Sequence, residues 1–585
     1  MQEGMDGLAL ALMNNRFESV VRAMMNTLLR TARSAILNTA RDFSCCILTR
    51  EDEMLAMAES LPIHVMSGPD LIARYMKETH PTLRRGDAFL HNSPYHGNSH
   101  AADWCVVIPV IDSDGVHRFT VLAKAHLADC GNSVPTTYLA DATDVYAEGA
   151  LIFPCVKVQE NYEMREDVLR MARVRIRVPD LWHGDFLALL GAARIGERRL
   201  LEVLDEVGAE TIDRYSGAWF DYSEQRMISA IRRLPKGTVV RHGAHDPIPG
   251  MPEGVPLKVT VSVDPEQAMI EVDLRDNVDC QPCGLNLTEA TARTAAMMGI
   301  FSGLGEVVPP NAGSFRRLLV HLRENCVVGI PRHPTSCSAA TTDLSESTAS
   351  CVVSALAELA EGVGLAEIGR AQPISMGVIS GKDPRANGAP YVNQLVLAVT
   401  GGPGAPTADG WLTILGIGAA GFLMRDSVEI DEMKYPMLVT EQRIIADSEG
   451  AGRFRGSPGA YVEYGPVGDE PMEVVYLSDG TLNPARGVRG GLDGGAAQQR
   501  KRFRDGTVSD ELGSYARVVL EPGETIISVS CGGGGYGPPG ERDPVLVAND
   551  VSEGWITPAR ARDIYRVAIA EDGSVDRQET ERLRT

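Results

Sequence analysis

Five of the chain's 12 histidines, His91, His96, His100, His117 and His126, fall between residues 91 and 126. Three of them sit in HNSPYHGNSHAADWCVVIPV (91–110), where Asp103 follows His100 in an HxxD spacing. Imidazole nitrogens and carboxylate oxygens suit a borderline or hard divalent ion such as Zn²⁺, Mn²⁺ or Fe²⁺. A site with few protein ligands leaves room for water or substrate, as catalysis requires. The same residue types can also move protons, or form a hydrogen-bonded cluster in a loop with no ligand at all. Of the five, His100 and His126 are the candidate ligands, and His91 and His96 are expected to be solvated.

The elements around these residues decide which of them can meet. WCVVIPVI (104–111), DSDG (112–115) and VHRFTVLAKAH (116–126) read as strand, turn and strand. A turn centred on Ser113-Asp114 places His126 opposite Ala101, and one centred a residue later places it opposite Asp103. Either register brings His126 beside His100 and Asp103. Helical spacing over 17–40 predicts a helix that ends near Arg41-Asp42, just before the apolar strand FSCCIL (43–48). Asp42 at that junction is a fourth candidate ligand. Asp129, in AHLADCGN, is placed to orient a ligand imidazole through its second nitrogen, or to serve as a turn residue before Gly131.

The chain has 585 residues, too many for one compact core. Its net charge of -22 argues against a nucleic-acid partner. The first residues lack the basic and apolar regions of a signal peptide, and no long apolar run predicts a membrane span. The 11 cysteines are scattered and read as reduced thiols, so the cytoplasm is the expected compartment. Residues 184–234 predict two or three helices with Asp185 as an N-cap, and Thr288 and Thr557 are expected to cap later helices. CGGGGYGPPG (531–540) lacks the Gly-Lys-Ser/Thr ending of a phosphate loop and reads as a tight backbone crossing that needs glycine dihedrals. The chain therefore shows no nucleotide site of its own. The expected fold is mixed α/β and multidomain. An N-terminal helix-plus-sheet region (1–240) bears the metal, a mixed middle region spans 241–390, and a Gly-rich, β-dominated region with a terminal helix spans 391–585.

ARDFSCCIL, GDAFLHNSPYHGNSHAADWCVVIPV, AHLADCGN, GDFLALLGAARIGERRLLEVLDEVG, VPPNAG, DSEGAGRFRGSPG and CGGGGYGPP, taken in order, resemble the hydantoinase B/oxoprolinase family. That family includes the B-type subunits of ATP-dependent hydantoinases and caprolactamase, the matching half of 5-oxoprolinase, and subunits of acetone and acetophenone carboxylases. The resemblance implies a separate A-type, actin-like ATPase subunit, in an α2β2 heterotetramer, that uses ATP to phosphorylate a substrate oxygen. It implies a divalent metal, zinc first and manganese or iron as alternatives, on Asp42, His100, Asp103 and His126. It also implies cyclic amide hydrolysis, in which a metal-activated water attacks the phosphorylated carbon, with His100, Asp103 and His126 as the catalytic set. A ketone carboxylase subunit and a non-catalytic structural partner are the alternatives. Asn92-Ser93 and Leu127 depart from the commoner family wording: the first alters a substrate or loop contact, and the second replaces a histidine and argues against a further proton relay there.

Overall fold

The computed structural model describes residues 5–370 and 372–585, and its fold is mixed α/β with several sheets. Strands β1 (Phe43–Thr49), β2 (Met54–Met57), β3 (Ala88–His91), β4 (Asp103–Ile111), β5 (His117–His126), β6 (Val156–Glu160) and β7 (Glu163–Met164) form an antiparallel sheet in the order β2-β1-β5-β4-β3-β6-β7. Trp104, Val106, Ile108 and Val110 on one face of β4 join a core with Phe17, Val21 and Met24 of helix α1 (Gly7–Thr31). Phe186 and Leu189 of the helix Pro179–Val207 complete that core. After the short helices α2 (Ala35–Asn38) and α3 (Pro62–Val65), helix α4 (Pro69–Thr79) covers the other face. Its Ile72, Ala73 and Met76 pack on Cys46, Phe89, Cys105, Val107 and Leu122. Both faces are buried, which is why these strands read as unbroken apolar runs.

The predicted 17–40 helix begins earlier and breaks. Ala32 is extended, and the Asp185 carboxylate accepts the backbone N–H groups of Arg33 at 2.6 Å and Ser34 at 3.1 Å. Asp185 therefore does not cap its own helix, which starts at Pro179, but satisfies the orphan donors where α2 begins. Thr288 and Thr557 do cap their helices, through Thr291 N–H and Arg560 N–H. The glycine crossing is present, and the expected dihedral reason accounts for only part of it. Gly537 has a φ of 73°, but among Gly532 to Gly535 none has a positive φ; there a Cβ on Gly533 would collide with the Gly402 carbonyl oxygen. Close backbone approach requires glycine at those four positions.

A second sheet runs β11-β10-β9-β8, from β8 (Gly237–His245), β9 (Val255–Asp264), β10 (Met269–Asp273) and β11 (Leu318–His321). Two more four-stranded sheets follow, and one of them opens with β12 (Val378–Asp383) and β13 (Ala389–Gln394). The expected boundaries at 240 and 390 thus fall inside β8 and β13. Neither is a linker. Among the described residues no helix is long and apolar enough to cross a membrane.

The end of β8 is tied to the C-terminal half by a buried ionic network. His245 Nε2 lies 3.2 Å from Asp343 Oδ1, and its Nδ1 lies 2.7 Å from the Asp246 carbonyl. The Asp246 carboxylate in turn accepts the backbone N–H groups of Thr481, Leu482 and Asn483. Burial alone would lower the His245 pKa, but Asp479 and Asp343 overturn it and raise the group to about 9. A raised folded pKa means that the stabilisation is fully present below the unfolded value of about 6.5 and is lost as pH climbs through about 9. The stability gap between wild type and His245→Gln in urea melts should therefore shrink between pH 6.5 and 9.5. A gap that stays constant or widens would contradict this.

Candidate metal centre

The hairpin pairs Asp103 with His126, Trp104 with Ala125 and so on to Val110 with Phe119, the register set by the later of the two possible turn centres. Paired residues share a sheet face, so Asp103 and His126 both leave the sheet on the side of α4. His100 reaches them from the loop before β4. Asn98 Nδ2 donates to the carbonyls of His100 at 2.6 Å and Asp103 at 2.8 Å, which curls the HxxD turn inward. Asn92 pins the same loop by donating to the Ala101 and Leu151 carbonyls and accepting from Phe153 N–H. The result is a fully buried triad. His100 Nε2 lies 2.9 Å from Asp103 Oδ1, His126 Nδ1 lies 3.0 Å from it, and the two nitrogens are 3.2 Å apart.

The outer bond of His100 fixes its tautomer. His100 Nδ1 lies 2.7 Å from the Ser338 carbonyl, which can only accept. The proton of neutral His100 must sit on Nδ1, so its Nε2 lone pair faces the carboxylate. Ser99 Oγ donates to Asp103 Oδ2, and Thr137 Oγ1 lies 3.0 Å from His126 Nε2. Burial alone would raise the Asp103 pKa, yet His100, His64 and His126 hold it well below the usual carboxylate range. Burial pushes His126 down. The two imidazole nitrogens and the carboxylate oxygen meet at about 3 Å, close enough to share a proton or to converge on one cation. That donor set fits a divalent ion, and His100, Asp103 and His126 are the residues able to hold it.

The other expected site residues are placed differently. Asp42 is at the site, since its carbonyl accepts His126 N–H at 3.0 Å, but its carboxylate stands outside the triad and faces His64 Nε2 at 3.3 Å. Burial beside Asp103 raises the Asp42 carboxyl well above its ordinary value, and its Oδ1 has no hydrogen-bond partner. Asp129 orients no imidazole. Its carboxylate accepts from Gly131 N–H, Arg177 N–H and the Arg177 guanidinium, and so fixes the turn instead. His91 is not solvated: it is fully buried, neither ring nitrogen has a partner, and burial pushes it down to about 3. His96 is half-buried, bonded to Ser93 Oγ at 2.8 Å and stacked on Tyr75.

Three contributors carried no signal in the sequence. His64 of α3 lies 3.3 Å from Asp103 Oδ2, and burial lowers it to about 4. The Tyr138 ring stacks on His100 at 5.7 Å and on His126 at 5.3 Å. Glu346 accepts the backbone N–H groups of Ile417 and Gly418 and draws the 415–423 segment over the site. Burial lifts its carboxyl to about 7. Between that segment and the triad is a cavity of about 40 Å³, lined by Asp42, His64, His126, Tyr138, Gln372 and Gln394 among others.

Residues 6–539 match the Hydantoinase B/oxoprolinase family, and the chain belongs to it. It is 30% identical to the beta chain of the caprolactamase of Pseudomonas jessenii over 98% of each chain. It is 28% identical to the B-type subunit of a putative D-/L-hydantoinase of Pseudomonas sp. (strain NS671), over 99% of this chain and 98% of that one. The crystal structure of the ATP-dependent caprolactamase from Pseudomonas jessenii superimposes with a TM-score of 0.87 at 28% identity, covering 99% of both chains.

His126→Ala leaves His100 and Asp103 facing a gap across the hairpin. Its metal affinity should fall by more than the 10–100-fold typical of residues that only support a ligand. The melting temperature should fall as well and recover in part with added metal. His96→Ala, in the same loop but outside the triad, should leave both unchanged. Full metal content in both variants, measured by elemental analysis, would place the ion elsewhere.

Proposed function

We propose that the chain is the metal-bearing B-type subunit of an ATP-dependent cyclic amide hydrolase that opens a hydantoin or lactam ring. The observation that carries the reading is a buried triad whose His126 lines a small, mostly apolar cavity, in a chain similar along nearly its whole length to one chain of a caprolactamase. His100, Asp103 and His126 hold the ion, zinc first and manganese or iron otherwise, with Asp42 beside them as a further carboxylate. When bound, the ion supplies Lewis acidity in a site shielded from bulk water. The Ser338 carbonyl keeps the His100 proton on Nδ1, and Ser99 holds the Asp103 carboxylate in place. Tyr138 lies over both imidazoles and limits where a substrate can approach. A ring needs more room than the cavity now offers. The irregular 415–423 segment, held by the Glu346 carboxylate, is the wall able to give.

ATP is used by a separate A-type ATPase subunit, which activates the ring carbonyl by phosphorylating its oxygen; an α2β2 assembly in the cytoplasm completes the proposal. Reconstitution tests it. Neither subunit alone should open a lactam or hydantoin ring, and the complex should release ADP in step with ring opening. Ring opening by this chain without ATP, or incorporation of labelled bicarbonate into product, would contradict the reading; the second result would point to a carboxylase.

A further inference from the structure

Two spaces lie back to back across one thin wall. The inner one is the cavity of about 40 Å³ beside His126, and the outer one is an open pocket of about 210 Å³. Neighbouring residues alternate between them. Arg41 and Phe43 line the outer pocket and Asp42 the inner cavity; Ser60 lines the outer and Leu61 the inner; Phe422 and Met424 line the outer and Leu423 the inner. The wall is therefore a single layer of chain, and its third strip is the one able to move. The ends of that strip are tied, by the Glu346 carboxylate to Ile417 and Gly418 N–H and by Met424 N–H to the Ala40 carbonyl at 2.8 Å. Between those ties the backbone bonds to itself, Ala420 N–H to the Ile417 carbonyl and Phe422 N–H to the Ala419 carbonyl. Local turns of this kind open without disturbing the core.

The outer lining joins two chemistries. Met25, Leu29, Phe43, Phe422 and Met424 form its apolar part, with Phe422 and Met424 left 37% and 38% exposed. Arg22 and Arg41 stand in the same lining with one carboxylate, Glu59, so it is net positive in a chain of net charge -22. Glu18 bonds Arg22 at 2.6 Å, but a guanidinium has further N–H donors to give. The inner cavity has the opposite character: among the described residues it is lined by Asp42 and Glu346 and by no lysine or arginine. A phosphorylated lactam or hydantoin is apolar at one end and anionic at the other, and guanidinium is the side chain best matched to phosphoryl oxygens. We infer that the outer pocket receives a phosphorylated apolar ring, its phosphoryl oxygens on Arg22 and Arg41, and that the ring then passes Leu423 to reach His126. The inference rests on the reading above, in which the ring arrives already phosphorylated.

Phenyl phosphate, an apolar ring bearing a phosphoryl group, is the probe. Its binding is measured by calorimetry on the full chain before and after chelation of metal, which removes the triad as a competing phosphate site. It should bind in both states, while inorganic phosphate and phenol, each keeping half of the recognition, should bind at least about tenfold more weakly. Arg22→Gln/Arg41→Gln should weaken phenyl phosphate by at least about tenfold, the loss expected for hydrogen bonds to a charged group. In the reconstituted complex the same double variant should release ADP at the wild-type rate but open fewer rings per ADP, because phosphorylated ring escapes to water. Leu423→Phe should keep phenyl phosphate binding and lower the same ratio. Binding that is lost with the metal, that inorganic phosphate matches, or that the double variant leaves unchanged would overturn the assignment of this pocket alone. So would an unchanged ratio in Leu423→Phe, or ADP release and ring opening that fall together in the double variant. A wild-type complex that opens no lactam or hydantoin ring would overturn the functional reading and this inference with it.

Discussion

The pairing of Asp103 with His126 across the β4–β5 hairpin is the constraint on which the site depends. Side chains alternate between sheet faces, so a slip of one residue would send one of the two into the apolar core under α1 and leave the other on the side of α4. The register is held because both faces are buried. Trp104, Val106 and Ile108 must meet Phe17 and Phe186, and Val107 and Leu122 must meet α4. The packing of the sheet thereby fixes where the chemistry sits. His100 needs only the short turn stapled by Asn98 to join the pair.

Burial gives the triad its electrostatic character. A carboxylate taken out of water is costly, and Asp103 stays ionised only because His100, His64 and His126 surround it. At Asp42, close by, burial and the charge of Asp103 outweigh His100 and the shift runs in the opposite direction. Two carboxylates at one site are driven apart in pKa by their partners, one ready to bind a cation and the other held in reserve. Lys124, two residues before His126 on the same face, is buried with its ammonium nitrogen unpartnered.

Much of this was legible in the sequence, and the part that was not has a physical reason. His100, Asp103 and His126 could be joined because a hairpin is a local object whose register depends on its turn. FSCCIL, the capped helices at Thr288 and Thr557 and the glycine crossing were legible for the same reason. Asp129 was open to two readings, and the turn before Gly131 is the one the structure shows; its other partner, Arg177, lies 48 residues away and no pattern links them. Asp185 was misjudged, since the donors it satisfies belong to residues 33 and 34. His64, Tyr138 and Gln394 come to the site from three separate elements, and nothing in their immediate neighbours marks them. His91 looked like a loop residue and is instead the last residue of a central strand, buried by tertiary packing.

The central claim is that His100, Asp103 and His126 hold a divalent ion. X-ray absorption at the metal edge of the purified chain tests it most directly, with Asp103→Asn beside the wild type. The account predicts one ion per chain in a shell of nitrogen and oxygen donors with the scattering signature of two imidazoles, and loss of that signal in Asp103→Asn. A sulfur-rich shell, or a spectrum and metal content unchanged by Asp103→Asn, would contradict it.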